Sequence, residues 1–233
     1  MNIHQIWIGD GISGRDAADV EAIRQKCVAA GHTHRLWSYS ELLETLEQDR
    51  VKDAFDVAQA LLPHTMFASM VTDYFRLYLL REPGLYMDTD VICNADKFPE
   101  MPEGLDIQLC TNTNAVTPNT CILHAATELG AAGCAVGADM VAKKLEEELL
   151  SEDMQHVEEL AAELKAKPFS LIGFIGPAFF RKTVVPVLEE AGTKVGLFDL
   201  QFSSSSNPKS VLYHRGTGSW CYGGKGNHRR AGK

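Results

Sequence analysis

The chain has 233 residues, of which 45% are hydrophobic and 23% are charged, and its net charge is −9. This size supports a complete hydrophobic core, so we expect one domain over residues 1–233. The acidic balance argues against general nucleic-acid binding, which needs a basic surface to displace counterions from phosphates.

Cysteine spacing and hydropathy indicate the compartment. The six cysteines include no Cys-x-x-Cys pair, so we expect reduced thiols rather than a zinc site or a disulfide scaffold. The N-terminal residues do not resemble a secretion signal, and no apolar run reaches about 18 residues. We therefore expect a cytoplasmic protein without a membrane span, at most peripheral to the inner face of the membrane.

Strands and helices alternate along the first half of the chain. We predict strands at residues 2–8, 35–39, 85–92, 105–111 and 120–124. Helices are predicted at residues 15–30, 51–62 and 67–81, and a further helix begins at the capping residue Ser40. The alternation predicts an α/β fold in which helices flank a mainly parallel sheet.

The second half has a similar pattern. Residues 138–167 are rich in Glu and Lys, which predicts one or two surface helices. Gly176 and Pro177 start another helix, because proline fits the first helical turn. Two final strands are predicted at residues 194–200 and 211–214.

The most informative segment is Leu-Tyr-Met-Asp-Thr-Asp-Val-Ile at residues 85–92. Side chains alternate along a strand, so Tyr86, Asp88 and Asp90 should share one face. Neighbouring buried carboxylates repel each other, so a divalent cation or the donor groups of a ligand should lie against them. Hard oxygen ligands select Mg²⁺ or Mn²⁺, and we expect Asp90 to bind the metal directly. Solvated charges at a strand end are the alternative.

The helix that precedes this strand carries Ser69, Asp73 and Arg76 on one side. Asp73 and Arg76 are spaced to form an ion pair. Because the helix leads through a short turn into the strand of Asp88, we expect the pair at the mouth of the same cleft. A purely structural ion pair is the alternative.

Three segments together resemble one known family. They are Ile-His-Gln-Ile-Trp-Ile-Gly at residues 3–9, Ala-Ser and Asp-Tyr-Phe-Arg within residues 68–76, and Gly-Leu-Tyr-Met-Asp-Thr-Asp at residues 84–90. This combination resembles glycosyltransferase family 32, with its Asp-x-Asp sugar-binding region, and more distantly the glucosyltransferase domains of large clostridial toxins. Pro83 and Met87 depart from the usual glycine and leucine of the family.

The resemblance implies a fold and a place for the nucleotide. The fold is the GT-A type, a Rossmann-like sheet that binds a nucleotide sugar at the carboxyl ends of its strands. The base would lie against Trp7 and its neighbours Ile6 and Ile8. The ribose or phosphate would lie against Tyr86.

The same resemblance implies how the sugar and metal are held. Ser69, Asp73 and Arg76 would lie at the donor sugar. Asp88 would contact ribose and sugar and help to hold the metal, and Asp90 would bind the metal.

Two further segments match the family. The sequence His-Arg-Gly-Thr-Gly-Ser-Trp at residues 214–220 resembles its closing motif, which implies that His214, Ser219 and Trp220 reach the metal and the diphosphate. Asn119 matches an asparagine near the donor or acceptor sugar, with a loop residue that forms its own turn as the alternative.

These matches imply a metal-dependent, retaining glycosyltransferase that uses Mn²⁺ or Mg²⁺. The donor would be a UDP-hexose, with GDP-mannose as an alternative, and the acceptor a saccharide, a lipid-linked saccharide or a protein. Polysaccharide biosynthesis is the expected context. Residues 1–125 would hold the nucleotide sugar, and residues 126–233 would supply the acceptor side and the closing elements.

Two other classes compete with this interpretation. A haloacid-dehalogenase-like phosphatase also uses Asp-x-Asp, but near the start of its fold and with a Gly-Asp-Gly-x-x-Asp motif downstream. Here Gly-Asp-Gly lies upstream, at residues 9–11. A non-catalytic nucleotide-sugar-binding module is the other alternative, and donor hydrolysis would distinguish it.

Overall fold

The computed structural model describes residues 1–12, 14–111, 118–168, 170–199, 201–205 and 207–215. Within these residues, nine strands form one sheet in the order β2-β1-β3-β6-β5-β8-β9-β4, and β7 also pairs with β5. The strands are β1 (Asn2–Trp7), β2 (Thr33–Ser38), β3 (Gly84–Met87), β4 (Val91–Cys93), β5 (Ile107–Thr111), β6 (Pro118–Ala125), β7 (Val195–Leu197), β8 (Ser203–Ser204) and β9 (Leu212–His214).

The sheet is mixed but mainly parallel. Strand β1 runs parallel to both β2 and β3, and β5, β7, β8 and β9 form three more parallel pairings. Strand β6 is antiparallel to β3 and β5, and β4 is antiparallel to β9. Helices flank this sheet, so the predicted α/β class is confirmed.

Nine α-helices are present in the described part of the chain. They are α1 (Gly14–Ala29), α2 (Tyr39–Thr45), α3 (Asp49–Leu61), α4 (His64–Tyr78), α5 (Glu128–Leu149), α6 (Met154–Ala166), α7 (Ser170–Phe174), α8 (Pro177–Phe179) and α9 (Val185–Glu190). A short 3₁₀ turn follows α4, and a π-helical turn joins α8 to α9.

The start of α2 differs from the sequence prediction. Ser38, not Ser40, is the N-cap residue: its hydroxyl accepts from Glu41 N, and the Glu41 carboxylate accepts from Ser38 N at 2.8 Å. This reciprocal arrangement is a capping box, and it satisfies two backbone donors at once. The N-cap of α2 therefore lies two residues before the predicted Ser40, and that prediction is wrong.

The prediction of surface helices at residues 138–167 is wrong for α5. This helix begins ten residues earlier and buries one side against the sheet and α4. Small residues allow the close approach, since a Cβ at Gly130 would lie 2.0 Å from Asp106 O. The Glu and Lys residues that suggested a surface helix lie mainly towards its C-terminal end.

Core side chains form two layers, one on each face of the sheet. Ile6 and Tyr86 belong to the larger layer, which also contains α3, α4 and α5. Ile3, Leu85 and Met87 point to the smaller layer beneath α1. Each strand therefore alternates between two buried faces, as expected for central strands covered by helices.

One described segment, Ser170–Glu190, is long and apolar enough to cross a membrane when judged by length and composition alone. It is interrupted at Gly176 and Pro177, and it packs partly inside the fold. A core helix of a globular protein meets the same criteria, so the absence of a membrane span stays a prediction.

Candidate functional site

Three parallel strands end at the same edge of the sheet. Trp7 and Ser38 are the last residues of β1 and β2, and Asp88 follows the end of β3. Because all three strands run in the same direction, the loops that follow them share this edge. In open α/β sheets, this is where ligands bind.

Asp88 and Asp90 lie in a turn and not in a strand. Strand β3 stops at Met87, and Val91 N, at the start of β4, donates to Asp88 O at 3.2 Å. The prediction that both aspartates share one strand face is therefore wrong. The turn instead directs both carboxylates towards a third residue.

That third residue is His214, which β9 brings opposite Val91 in an antiparallel pairing. Its Nε2 lies 3.0 Å from Asp90 Oδ1 and 3.3 Å from Asp88 Oδ2. All three side chains are largely buried, with Asp88 the most exposed. The closing-motif histidine thus joins the aspartate pair, as the sequence resemblance implies.

Charge and hydrogen bonding within the cluster favour a cationic partner. Burial opposes a charge on His214, but hydrogen bonds to Asp88 and Asp90 and their negative charges raise its pKa to about 10. The Tyr86 hydroxyl donates to Asp88 Oδ1 at 2.6 Å. Burial and Asp88 raise the pKa of Tyr86, so this phenol stays a donor.

The donor atoms suit a metal ion. One atom from each of Asp88, Asp90 and His214 lies within 4.8 Å of the others, so the three can face a common centre. Two carboxylate oxygens and one imidazole nitrogen fit a divalent cation such as Mn²⁺. A metal ligand must be deprotonated, so a cation at this position takes the place of the proton on His214.

Beside this cluster, Asp73 and Arg76 form the predicted ion pair. Arg76 Nη2 lies 2.9 Å from Asp73 Oδ1, and 3.9 Å from Asp88 Oδ1. Arg76 Nη1 donates to Thr120 Oγ1 at 2.5 Å, and Nε donates to Thr72 O at 3.3 Å. The guanidinium is thus held on several sides, and it links α4 to both β6 and the aspartate turn.

Asp73 uses Oδ1 in this pair, and its Oδ2 lies beside Gly176. Burial raises its pKa to about 6, although Arg76 opposes the shift. A Cβ at Gly176 would lie 3.0 Å from Asp73 Oδ2, so the Gly-Pro start of α8 packs against this carboxylate.

A pocket of about 180 Å³ lies at the ends of β1 and β2, lined in part by Trp7, Trp37, Ser38 and Glu41. Trp7 is half-buried, and its Nε1 has no hydrogen-bond partner among the described residues. Trp37 is buried, and Arg35 stacks on its ring at 3.5 Å. Two indoles beside an open space can hold a planar ring by stacking.

Other residues from the sequence analysis have different surroundings. The side chains of Ile6 and Ile8 are buried in the larger core layer. Tyr86 is fully buried, which does not fit the expected ring contact with a ribose. Ser69 is half-buried on α4, one turn before Asp73.

Asn119 makes a local contact with its own chain, which is the alternative to a sugar contact given in the sequence analysis. Its Oδ1 accepts from Cys121 N at 3.1 Å within β6. A contact with a sugar stays a prediction for this residue. Ser219 and Trp220 lie outside the described residues.

Sequence reasoning missed two residues that shape the site. Thr120 follows Asn119 on β6 and therefore faces the opposite side, towards Arg76. Gln5 is completely buried, and its Nε2 donates to Asp88 O at 3.1 Å. An amide between apolar residues of a strand that is expected to be central is the signal that could have identified Gln5, because a buried amide requires partners.

Neither a scan against protein-family models nor a search of curated proteins finds a match. Among solved structures, the chain is similar to one named PaToxG Glycosyltransferase, with 14% identity, a TM-score of 0.44, and coverage of 74% of this chain and 78% of that one. It is also similar to a glycosyltransferase involved in the glycosylation of the major capsid of PBCV-1, with 12% identity, a TM-score of 0.45, and coverage of 91% and 92%. At such low similarity, the activity has to be inferred from the site itself.

Proposed function

We propose that this protein is a metal-dependent glycosyltransferase of the GT-A type, similar to family 32, that takes a hexosyl unit from a nucleotide diphosphate sugar. The observation that carries the proposal is the convergence of Asp88, Asp90 and His214 directly beside the buried Asp73–Arg76 pair. A cation site next to a polar, partly buried recess suits a sugar diphosphate. The donor is a UDP-hexose, with GDP-mannose as the alternative.

Asp88, Asp90 and His214 would hold Mn²⁺ or Mg²⁺. When bound, the cation supplies a Lewis acid for the diphosphate leaving group. The chain has a net charge of −9, so a diphosphate needs such local neutralisation in order to bind.

The protein's own residues orient the donor. Asp73, whose Oδ2 lies beside Gly176, would accept a hydrogen bond from a sugar hydroxyl. Arg76 holds Asp73 in place through the ion pair and is itself anchored by Thr120. Restricting the sugar in this way lowers the entropic part of the barrier to transfer.

The pocket between Trp7 and Trp37 would take the nucleotide base. It lies at the same sheet edge as the aspartate turn, because β1, β2 and β3 are parallel.

The remaining features of the proposal follow from the family resemblance. Transfer would retain the anomeric configuration, and the acceptor would be a hydroxyl on a saccharide, a lipid-linked saccharide or a protein. The protein would act in the cytoplasm, or at the inner face of the membrane, in the biosynthesis of polysaccharides.

The test is a panel of UDP- and GDP-sugars, each incubated with the protein with and without Mn²⁺. Hydrolysis of one donor that depends on Mn²⁺, together with thermal stabilisation by the matching nucleotide diphosphate, supports the proposal. Trp7→Ala should weaken nucleotide binding, whereas Val28→Ala, on the exposed surface of α1, should not.

The outcomes separate the alternative classes. Stabilisation by nucleotide sugars without hydrolysis, even after saccharide acceptors are added, would indicate a binding module. Release of phosphate from simple phosphomonoesters would indicate a phosphatase. Either result contradicts the proposed transferase activity.

A further inference from the structure

We propose that Gln5 is a positioning residue that sets the conformation of the Asp88–Asp90 turn and thereby the affinity of the site for a divalent cation. This inference rests on the proposed function, since it concerns the same cation site. It concerns a residue that is not itself a metal ligand. Gln5 lies on β1 and hydrogen-bonds to the main chain of the turn that carries the ligands.

The orientation of the Gln5 amide follows from its partners. Asp88 O can only accept a hydrogen bond, so the amide nitrogen Nε2 must face it, at 3.1 Å. Oε1 is then left to accept from His34 Nε2 on β2, at 2.9 Å. The side chain is completely buried, so water does not compete for either bond.

The Asp88 peptide unit is held from two sides. Its carbonyl oxygen accepts from both Gln5 Nε2 and Val91 N, and its nitrogen donates to Cys121 O at 2.8 Å. Farther along the turn, Asp90 O accepts from Arg215 N at 3.2 Å. The main chain of the turn is therefore held by the Gln5 side chain on β1, by the backbone of β6 and by the backbone of Arg215, just after β9.

This anchoring has a consequence for the carboxylates. Asp88 and Asp90 carry like charges, and their mutual repulsion favours a turn in which they diverge. Removing the Gln5 amide leaves Asp88 O with Val91 N, inside the same turn, as its remaining donor, so the turn loses its tie to β1 and can relax in that direction. The hydrogen bonds of Gln5 in the described structure go to Asp88 O and His34, and none goes to a carboxylate oxygen or to His214. Its removal should therefore lower cation affinity through the turn that carries the ligands.

The chain provides a matched control. Gln108 on β5 is also a buried glutamine, and its Oε1 accepts from His124 Nδ1 at 2.8 Å. It thus forms the same kind of glutamine–histidine pair, but at a different place in the sheet. Gln5→Met and Gln108→Met each preserve side-chain volume while removing one such pair.

The experiment measures the Mn²⁺ affinity of both variants by titration followed with electron paramagnetic resonance, and their stability by urea denaturation. Groups that orient metal ligands typically change affinity by about 10- to 100-fold, and we expect a loss in this range for Gln5→Met. Gln108→Met should lose comparable stability and keep the Mn²⁺ affinity of the unaltered protein. His34→Phe should weaken Mn²⁺ binding less than Gln5→Met, because it leaves the bond to Asp88 O in place.

The possible results are distinguishable. If the unaltered protein binds Mn²⁺ and Gln5→Met binds it equally well, the role of Gln5 is refuted while the proposed function stands. If Gln5→Met and Gln108→Met weaken Mn²⁺ binding equally, the cause is a general loosening of the sheet. This result also refutes the positioning role of Gln5. If the unaltered protein binds no Mn²⁺, both proposals fail.

Discussion

Arg76 Nη2 lies 2.9 Å from Asp73 Oδ1, and each side chain exposes a tenth of its surface or less. A buried pair of this kind is costly to break from one side, because the remaining charge stays buried without its partner. Arg76 holds α4, β6 and the aspartate turn together, since it also contacts Thr120 and lies near Asp88. From this position we expect the pair to affect both stability and the proposed donor binding.

Arg76→Met should lower the free energy of unfolding by about 3 to 5 kcal/mol, because it leaves Asp73 buried and unpaired. Adding Asp73→Leu in the same chain should recover a large part of this loss without restoring donor hydrolysis. Urea denaturation measures the first effect and the Mn²⁺-dependent hydrolysis assay the second. As a control, Lys143→Met breaks the exposed pair with Glu147 and should leave the denaturation midpoint unchanged. An equally small effect of Arg76→Met would contradict the structural role of the pair.

Asp90→Ala should abolish Mn²⁺ binding while the fold remains intact. The variant removes one of three ligand groups but leaves the main-chain bond between Arg215 N and Asp90 O. Binding is measured by Mn²⁺ titration and folding by circular dichroism. Asp96→Ala, which removes an exposed carboxylate six residues away, serves as the control. Unchanged Mn²⁺ affinity in Asp90→Ala would refute the assignment of the metal ligands.

Stability should fall on mild acidification because two histidines are buried in the neutral form. Burial lowers the pKa of His4 and His124 from 6.5 to about 4, and the charge of Arg35 adds to the shift for His4. Between pH 6.5 and pH 4, these two histidines bind protons in the unfolded chain but not in the folded chain. Acidification through this range therefore lowers the free energy of unfolding, which is unaffected by these two groups above pH 6.5. Each group contributes about 3 kcal/mol at most over this window.

The comparison with His124→Asn isolates one of these groups from other titrating residues. Urea denaturation of both proteins between pH 7 and pH 4 should show a steeper loss for the unaltered protein. His124 Nδ1 donates to Gln108 Oε1 and its ring stacks on Phe198, so the variant will be less stable at neutral pH. Parallel curves for the two proteins would show that His124 is not the titrating group.

Two glycines should respond oppositely to alanine. At Gly130 in α5, an added Cβ would lie 2.0 Å from Asp106 O, so the helix would have to move away from the sheet. Gly130→Ala should therefore cost at least about 1 to 3 kcal/mol. At Gly173 no atom lies within 4 Å of an added Cβ, so Gly173→Ala should gain about 0.5 to 1 kcal/mol from helix propensity. Thermal denaturation of the two variants measures both effects, and a stable Gly130→Ala would contradict the close packing of α5.

Much of the fold could be predicted because the signals are local. The apolar period of α4, the proline before it and the alternation in β1 each depend on residues only a few positions apart. Asp73 and Arg76 were predicted as a pair for the same reason, since one helical turn separates them. Local spacing also identified Asp88 and Asp90 as acidic residues that need a partner.

Tertiary structure alone decided how these residues converge. The chain turns at Asp88 instead of continuing as a strand, and that peptide is hydrogen-bonded to Gln5, 83 positions away, and to the backbone of Cys121. Arg76 meets Thr120 across 44 positions. Such contacts depend on which strands become neighbours in the sheet, and no pattern within a single segment records that choice. The sequence by itself determined the elements and the acidic motif, whereas strand pairing determined the geometry that brings Asp88 and Asp90 to His214.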